Sequence, residues 1–403
     1  MRMKICFWIS SLFTAGGTKK VVTMIANELV KSNAVSVITY DDPEMENRER
    51  YGLSENIKIH YMKRHQFRKI NPVHKALCRA LVFIGQRSRI LDKAVFRNLQ
   101  KNVYYPSSEL RLLAAYLNEF DFDIIIGIAE NALTLAILTE QLNARAIGWL
   151  HNSYEAYFEK RFHLFWHKEN LLRQYAPCLD ALLVLNPYIK KDYLEKLHIE
   201  TTVIGNPKSF VCEEKNGGRE HCFFAAVRFV KEKGIDLMLQ AFALYCQKES
   251  SLSDRWKLVI AGDGEEMEMA VSLAKQLGIS DWVVFPGMID HIEDYYQHAG
   301  IYLMTSRYEG WGLVVIEAFE AGVPVIAFDI EPMDQLISQG EDGLIIPSFD
   351  VDAFAAAMYR LASNEEERLL MHQNAVRKAD QFSIEQIMRQ WNQLLENKTG
   401  VLK

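Results

Sequence analysis

Glu309 and Glu317 stand eight residues apart, and Gly310 and Gly312 follow the first of them, with Trp311 and Leu313 interleaved. Carboxylates accept hydrogen bonds from hydroxyl groups. Bare glycine backbones let a ligand approach the N–H groups at a helix start, where anions bind. Hydroxyl acceptors beside phosphate donors suit a sugar nucleotide. A capped helix carrying two solvated glutamates is the plainer reading of the same residues. The run Leu313–Ala321 reads as a helix of about two turns. Gly322 and Pro324 then stop it before a β-branched segment, as glycine and proline do just past a helix. Glu309 therefore falls on a loop and Glu317 on the helix.

Other residues carry complementary chemistry. Arg228 and Lys233 follow the apolar run Phe223–Val227, and Gly234 comes next. A planar fork and a point charge at the end of a strand suit a diphosphate, unless both are simply surface cations. His151 follows the strand-like run Ala144–Leu150. Ligands of open α/β sheets collect at the carboxyl ends of strands. A histidine there can donate to a hydroxyl or phosphate or move a proton; it can also merely satisfy its own loop.

The elements that must position these groups alternate along the chain. Lys4–Ser10 reads as a strand, Thr14–Thr18 as a turn around Gly16 and Gly17, and Lys19–Lys31 as a helix with Val22, Ile25, Ala26, Leu29 and Val30 on one face. Strands at Val35–Tyr40 and Ile57–Tyr61 follow. This is the opening of a doubly wound α/β domain, though Gly16-Gly17 lacks the Gly-x-Gly-x-x-Gly dinucleotide fingerprint. The first seventeen residues imitate a signal peptide, but the apolar run is short and broken by serines, so a buried first strand is expected. At 403 residues the chain is long for one domain and natural for two. Residues 1–204 carry 28 Lys and Arg against 21 Asp and Glu, whereas residues 205–403 carry 18 against 31. The charge therefore changes sign at a boundary near Gly205, where the composition also shifts. The expected organisation is a first domain over 1–204, a second over 205–380, and a final helix over 381–403 with the apolar stripe Ile384, Ile387, Trp391, Leu394 and Leu395.

The pattern Glu309-Gly-x-Gly-Leu-Val-x-x-Glu317-Ala-x-x-x-Gly322-x-Pro324-Val resembles the signature of glycosyltransferase family 4, retaining enzymes of the GT-B fold. The segment Phe223–Gly234 resembles that family's strand-Gly-Arg-x-x-x-x-Lys-Gly motif. Arg228 and Lys233 match, but Val227 stands where the motif commonly has glycine. The resemblance covers most of the chain, strongly over 223–346 and loosely in the first half. It implies two Rossmann-like domains facing a cleft, with the C-terminal helix crossing back to the first, and with acceptor bound by the first domain and nucleotide sugar by the second. By the same resemblance, Gly16 and Gly17 lie near the donor diphosphate and acceptor, His151 points at the donor sugar, and Gly262 contributes backbone. Met288 and Ile289 lie against the nucleobase, Glu309 binds the sugar, and Glu317 the ribose. Catalysis then rests on Glu309, His151, Arg228 and Lys233, with no cofactor and no metal expected. Asp121-Phe-Asp123 imitates the metal motif of GT-A enzymes, but these aspartates precede a strand instead of ending one, and Asp350-Val-Asp352 repeats the pattern cheaply.

Segment 63–101 holds eleven Lys and Arg, among them Arg87, Arg89 and Lys93, against Asp92 alone, with apolar residues between. A basic, apolar helix reads as a membrane-surface element; nucleic-acid binding and a solvated helix are the rivals. The aromatic and basic stretch Tyr154–Tyr175 would extend the same face. No run of eighteen apolar residues occurs, and the six cysteines lack metal or disulfide spacing. The function expected is therefore a cytoplasmic enzyme, peripheral to the inner face of the cell membrane, that moves a sugar from a nucleotide donor, a UDP-hexose or UDP-N-acetylhexosamine. Its acceptor is lipid-linked or a glycan, for surface polysaccharide or glycolipid, and nucleic acid is no partner. A non-catalytic partner subunit of the same fold and a sugar-nucleotide epimerase are the alternatives.

Overall fold

The computed structural model of the chain describes residues 2–67, 80, 81, 83, 96–159, 164–212, 215, 220–248 and 256–396. The basic residues Arg87, Arg89 and Lys93, and most of segment 63–101, lie outside the described residues. The chain divides into two units, Met1–Gly205 with Ile387–Lys403, and Asn206–Gln386.

The first unit is built on β1 (Lys4–Trp8), β2 (Ala34–Thr39), β3 (Lys58–Tyr61), β4 (Ile124–Ile128), β5 (Arg145–Trp149), β6 (Ala181–Val184) and β7 (Thr202–Val203). These pair in the order β3-β2-β1-β4-β5-β6-β7, all parallel. A parallel sheet covered on both faces needs strands that are apolar throughout, and all five residues of β4 are buried. The helix Gly17–Leu29 turns Val22, Ile25, Ala26 and Leu29 inward. Asp121 and Asp123 secure the start of β1. Asp123 accepts from the Lys4 backbone N–H at 2.7 Å and Asp121 pairs with Lys4 Nζ at 2.8 Å. The helix Ile384–Glu396 buries Ile387, Met388, Trp391, Leu394 and Leu395. Its Trp391 ring lies 4.8 Å from that of Trp149 and 6.5 Å from that of Phe7, and Arg145 donates to the Leu395 carbonyl at 2.8 Å. Part of Tyr154–Tyr175 departs from expectation, while Lys160, Arg161 and Phe162 lie outside the described residues. Tyr157, Phe158 and Phe165 are core residues with 1, 3 and 0% exposure, packed on one another, so these aromatics belong to the interior and offer no surface face.

The second unit is built on β8 (Cys222–Ala226), β9 (Lys257–Ala261), β10 (Val283–Gly287), β11 (Ile301–Met304), β12 (Val325–Phe328) and β13 (Gly343–Ile346). They pair in the order β10-β9-β8-β11-β12-β13, again all parallel. Side chains alternate across the sheet. Phe223 enters the core on one face with Leu258, Ile260 and Ile326, and Phe224 enters the core on the other with Tyr302, Val325 and Ala327. Strand order reverses between β1 and β4 in the first sheet and between β8 and β11 in the second. Such switch points leave a crevice at the carboxyl ends of the strands where ligands bind.

Candidate active site

Two loops leave the switch point of the second sheet, one after β8 and one after β11, and they are zipped together. Gly234 has φ +62°, and a β-carbon there would lie 2.0 Å from the Thr305 carbonyl oxygen. Only glycine allows this approach. Thr305 Oγ1 donates to the Gly234 carbonyl at 2.9 Å. Arg307 forks onto Asp236 at 3.0 and 2.7 Å, reaches the Lys231 carbonyl at 2.7 Å, and donates its backbone N–H to the Glu232 carbonyl at 2.8 Å. Burial works to raise the Asp236 carboxyl, but the Arg307 hydrogen bonds and charge outweigh it and hold it below its ordinary value. The outcome is that Lys233 Nζ meets Glu309 Oε2 at 2.5 Å, with the two side chains 19 and 17% exposed. Arg228 stands exposed just past β8.

Beside this pair begins the helix Leu313–Glu320. Gly312 caps it at φ +86°, where a β-carbon would press on Met333 and Leu336. No side chain in its first turn is acidic, so its positive end can receive an anion. The helix closes as expected. Gly322 N donates to the Phe319 carbonyl at 2.9 Å and Val323 N to the Ala318 carbonyl at 2.7 Å, a Schellman motif with Gly322 at φ +78°. Trp311 lies in the loop between Glu309 and the helix, its ring 6.1 Å from that of Phe382.

Glu317 is only 7% exposed. Tyr296 donates to its Oε2 at 3.0 Å and Ser209 donates to Oε1. Burial first, and then the Glu317 charge, raise the Tyr296 phenol, so it stays protonated and able to donate. Neither Ser209 nor Tyr296 was legible as a site residue. A third carboxylate, Glu320, was also missed, and it is 1% exposed. It takes Lys208 Nζ at 2.6 Å, Lys215 Nζ, and the Cys212 backbone N–H at 3.0 Å. Burial works to raise Glu320, and these partners prevail and lower it. Lys208 also donates its backbone N–H to the Phe382 carbonyl at 2.8 Å and lies 3.7 Å from Asp380.

Gly262, just past β9, has φ +130° and sits where a β-carbon would be 1.8 Å from the Val227 carbonyl oxygen. It packs one loop on another as backbone. Met288 is 65% exposed, whereas its neighbour Ile289 packs on the apolar cluster around Tyr296 and Tyr302.

The remaining candidates belong to the first unit. Gly17 opens the helix after β1, and the Gly16 N–H donates to Tyr51 Oη at 2.9 Å. Asp41 secures the preceding loop, accepting from Ser11 Oγ and Leu12 N at 2.6 Å, Thr39 Oγ1 at 2.9 Å and Phe13 N at 3.2 Å. His151 follows β5 and is 7% exposed. Its ring lies 4.3 Å from that of Trp149, and its backbone N–H donates to Tyr157 Oη at 3.0 Å. Burial, with a smaller contribution from the Lys19 cation, pushes its pKa down to about 3. The imidazole is therefore neutral, and its Nε2 has no hydrogen-bond partner among the described residues. Among the described residues no three His, Cys, Asp or Glu side chains gather to hold a metal ion, and no helix is long and apolar enough to cross a membrane.

Two parallel Rossmann-like units define the GT-B class of glycosyltransferase, and solved structures agree. S. aureus TarM, crystallised with UDP, α-GlcNAc-glycerol and fondaparinux, superposes with a TM-score of 0.76 at 16% identity, over 98% of this chain and 100% of that one. Anabaena HepE in complex with UDP and glucose gives 0.73 at 16% identity, over 98 and 99%. The family descriptions Glycosyltransferase Family 4 and Glycosyl transferases group 1 match residues 15–207 and 210–378. The chain belongs to glycosyltransferase family 4. It is 26% identical to an uncharacterised glycosyltransferase of Haemophilus influenzae, over 97% of this chain and 99% of the relative. It is also 26% identical, over 98% of both, to a Campylobacter jejuni α-1,4-N-acetyl-D-galactosaminyltransferase named for its diNAcBac-PP-undecaprenol-linked substrate.

Proposed function

We propose that this glycosyltransferase takes a UDP-hexose or UDP-N-acetylhexosamine and moves its sugar, with retention of configuration, to a hydroxyl of a lipid-linked or glycan acceptor in surface polysaccharide or glycolipid synthesis. The observation that carries the reading is the Lys233–Glu309 pair at the switch point of the second sheet, beside the helix start at Leu313. Negative charge grows on the diphosphate as it leaves. Lys233, Arg228 and the N–H groups of Gly310–Leu313 supply fixed positive charge to meet it, an electrostatic task that preorganised donors do well. Glu309 takes hydroxyls of the sugar and Glu317 those of the ribose, each bond to a charged group contributing about 1.5–3 kcal/mol. Met288 and Ile289 flank the base, and Gly262 shapes the floor. From the first unit, Gly16 and Gly17 approach the diphosphate with bare backbone. Neutral His151 hydrogen-bonds a sugar hydroxyl, and a donor phosphate oxygen receives the acceptor proton. No divalent cation enters this scheme.

The acceptor's lipid would place the enzyme at the inner face of the cell membrane, with Arg87, Arg89 and Lys93 against anionic headgroups. The names of the Campylobacter relative and of the UDP-bound structures support the donor and acceptor classes. The test is UDP release from a panel of UDP-sugars, with and without an undecaprenyl-linked glycan acceptor and with and without EDTA. Acceptor-stimulated release that survives EDTA is the expected result. Absence of release with every UDP-sugar would reject the donor class.

A further inference from the structure

The first sheet has its own switch point, and two polar side chains outside the donor-binding set, Ser10 and Glu130, lie there at the same end of the sheet as His151. Ser10, Glu130 and His151 each lie two residues past the end of a strand, after β1, β4 and β5. Ser10 Oγ donates to Glu130 Oε1, bridging the two strands at which the order reverses. Asn131 Nδ2 fixes the same corner, donating to the Trp8 carbonyl at 3.2 Å and lying 3.4 Å from Ser10 Oγ.

The backbone there is under constraint. Ala129 is held at φ 53°, ψ −116°, a conformation its β-carbon disfavours, while its N–H donates to the Trp149 carbonyl at 3.0 Å. At Gly127 a β-carbon would lie 2.8 Å from the Asn131 carbonyl oxygen. An acidic residue in the first turn of the helix Glu130–Leu138 could serve the helix dipole alone. That role requires neither a strained alanine nor a serine clamp from another strand. Glu130 and His151 follow the paired parallel strands β4 and β5, so both lie at one end of the sheet. The buried His151 Nε2, without a partner among the described residues, is a second polar atom suited to a ligand.

We propose that Glu130, clamped by Ser10, binds the acceptor, its carboxylate accepting a hydrogen bond from a hydroxyl of a neutral sugar at the acceptor's reacting end. The inference rests on the glycosyl-transfer reading above. A carboxylate takes hydroxyls and repels phosphate. The acceptor's reacting end is thus a glycosyl unit and not a polyol phosphate.

Saturation-transfer NMR on the full chain with UDP present tests this without turnover. The probes are methyl glycosides of glucose and galactose and their N-acetylamino forms, with glycerol 3-phosphate as the anionic comparison. Wild-type protein is expected to bind at least one glycoside and not glycerol 3-phosphate. Glu130→Gln, which keeps a partner for Ser10, should lose the glycoside signal at least tenfold while its UDP signal persists. Unchanged glycoside binding in Glu130→Gln, no glycoside binding by wild type, or preference for glycerol 3-phosphate would overturn the proposal. If UDP and glycoside signals fall together, Glu130 is structural and the proposal is also overturned. Failure of the transfer reading appears separately, as absent UDP release by wild type.

Discussion

Lys233 and Glu309 lie 76 residues apart in sequence and 2.5 Å apart in space. Neither loop holds its partner alone. The Thr305–Gly234 contact and the Arg307–Asp236 fork bring them into register. Each charge is the other's partner, so the lysine is oriented by the same carboxylate that is proposed to read the sugar. Glu309→Gln should lower the rate of UDP release by about 10²–10³-fold, the usual cost of deleting a preorganised polar group at a reacting centre. Stability should fall by only about 1–3 kcal/mol, the cost of stranding a partly buried charge. Initial rates paired with thermal melts check both, and full activity in this variant would end the assignment.

Gly234 governs the geometry of that pair from outside it. In Gly234→Ala the new methyl group collides with the Thr305 carbonyl oxygen, at a backbone angle that disfavours any β-carbon. A loss of about 1–3 kcal/mol is expected, along with weaker UDP binding as Lys233 leaves register. Calorimetric titration with UDP measures the second effect, and wild-type affinity would show that the loop contact does not set the site.

Glu317, the carboxylate proposed to take the ribose, has a quieter requirement. Tyr296→Phe removes the hydroxyl that donates to Glu317 Oε2 and leaves the ring's packing in place. Losing one hydrogen bond to a charged acceptor is worth about 1.5 kcal/mol or more. The donor KM should therefore rise roughly tenfold, and the acceptor KM should hardly move. Equal changes in both would point to a general structural defect.

What the sequence discloses depends on distance along the chain. Glu309, Gly312, Glu317 and Gly322 fall within fourteen residues, and a loop, a helix and a glycine stop have local spacing rules, so this stretch reads correctly. The alternation of apolar runs likewise betrays both sheets. The pairing of Lys233 with Glu309 obeys no local rule, because it depends on how two loops meet at a switch point. Ser209, Tyr296 and Ser10 are illegible for the same reason, each lying more than twenty residues from the carboxylate it serves. Glu320 hides inside an apolar helix, where nothing marks it apart from Glu317. Phe158 and Phe165 mislead in the other direction. Interspersed with cations they imitate a surface stripe, yet their short helix and turn fold inward onto Tyr157.

His151 makes stability depend on pH in a definite sense. Its folded-state pKa is pushed down to about 3, from an ordinary value of 6.5. The unfolded chain therefore takes up a proton that the folded chain refuses. The stabilisation is whole above the ordinary value and declines as pH falls from there toward the folded value. Urea midpoints measured near pH 7.5 and near pH 5 should differ more in the wild type than in His151→Asn. An identical difference would mean that the histidine is hydrated after all.

Lys208 has a consequence of another kind. The chain enters the second unit at Asn206 and leaves it at Gln386. Lys208 joins these two ends, its backbone bonded to Phe382 and its ammonium shared between Glu320 and Asp380. Residues 206–386 are thus a cassette whose own termini are already tied, as in domains that tolerate transplantation or circular permutation. Cut out at those points, the cassette would carry Lys233, Glu309 and Glu317 with it, and the half of the chemistry proposed for the nucleotide would travel as a separable module.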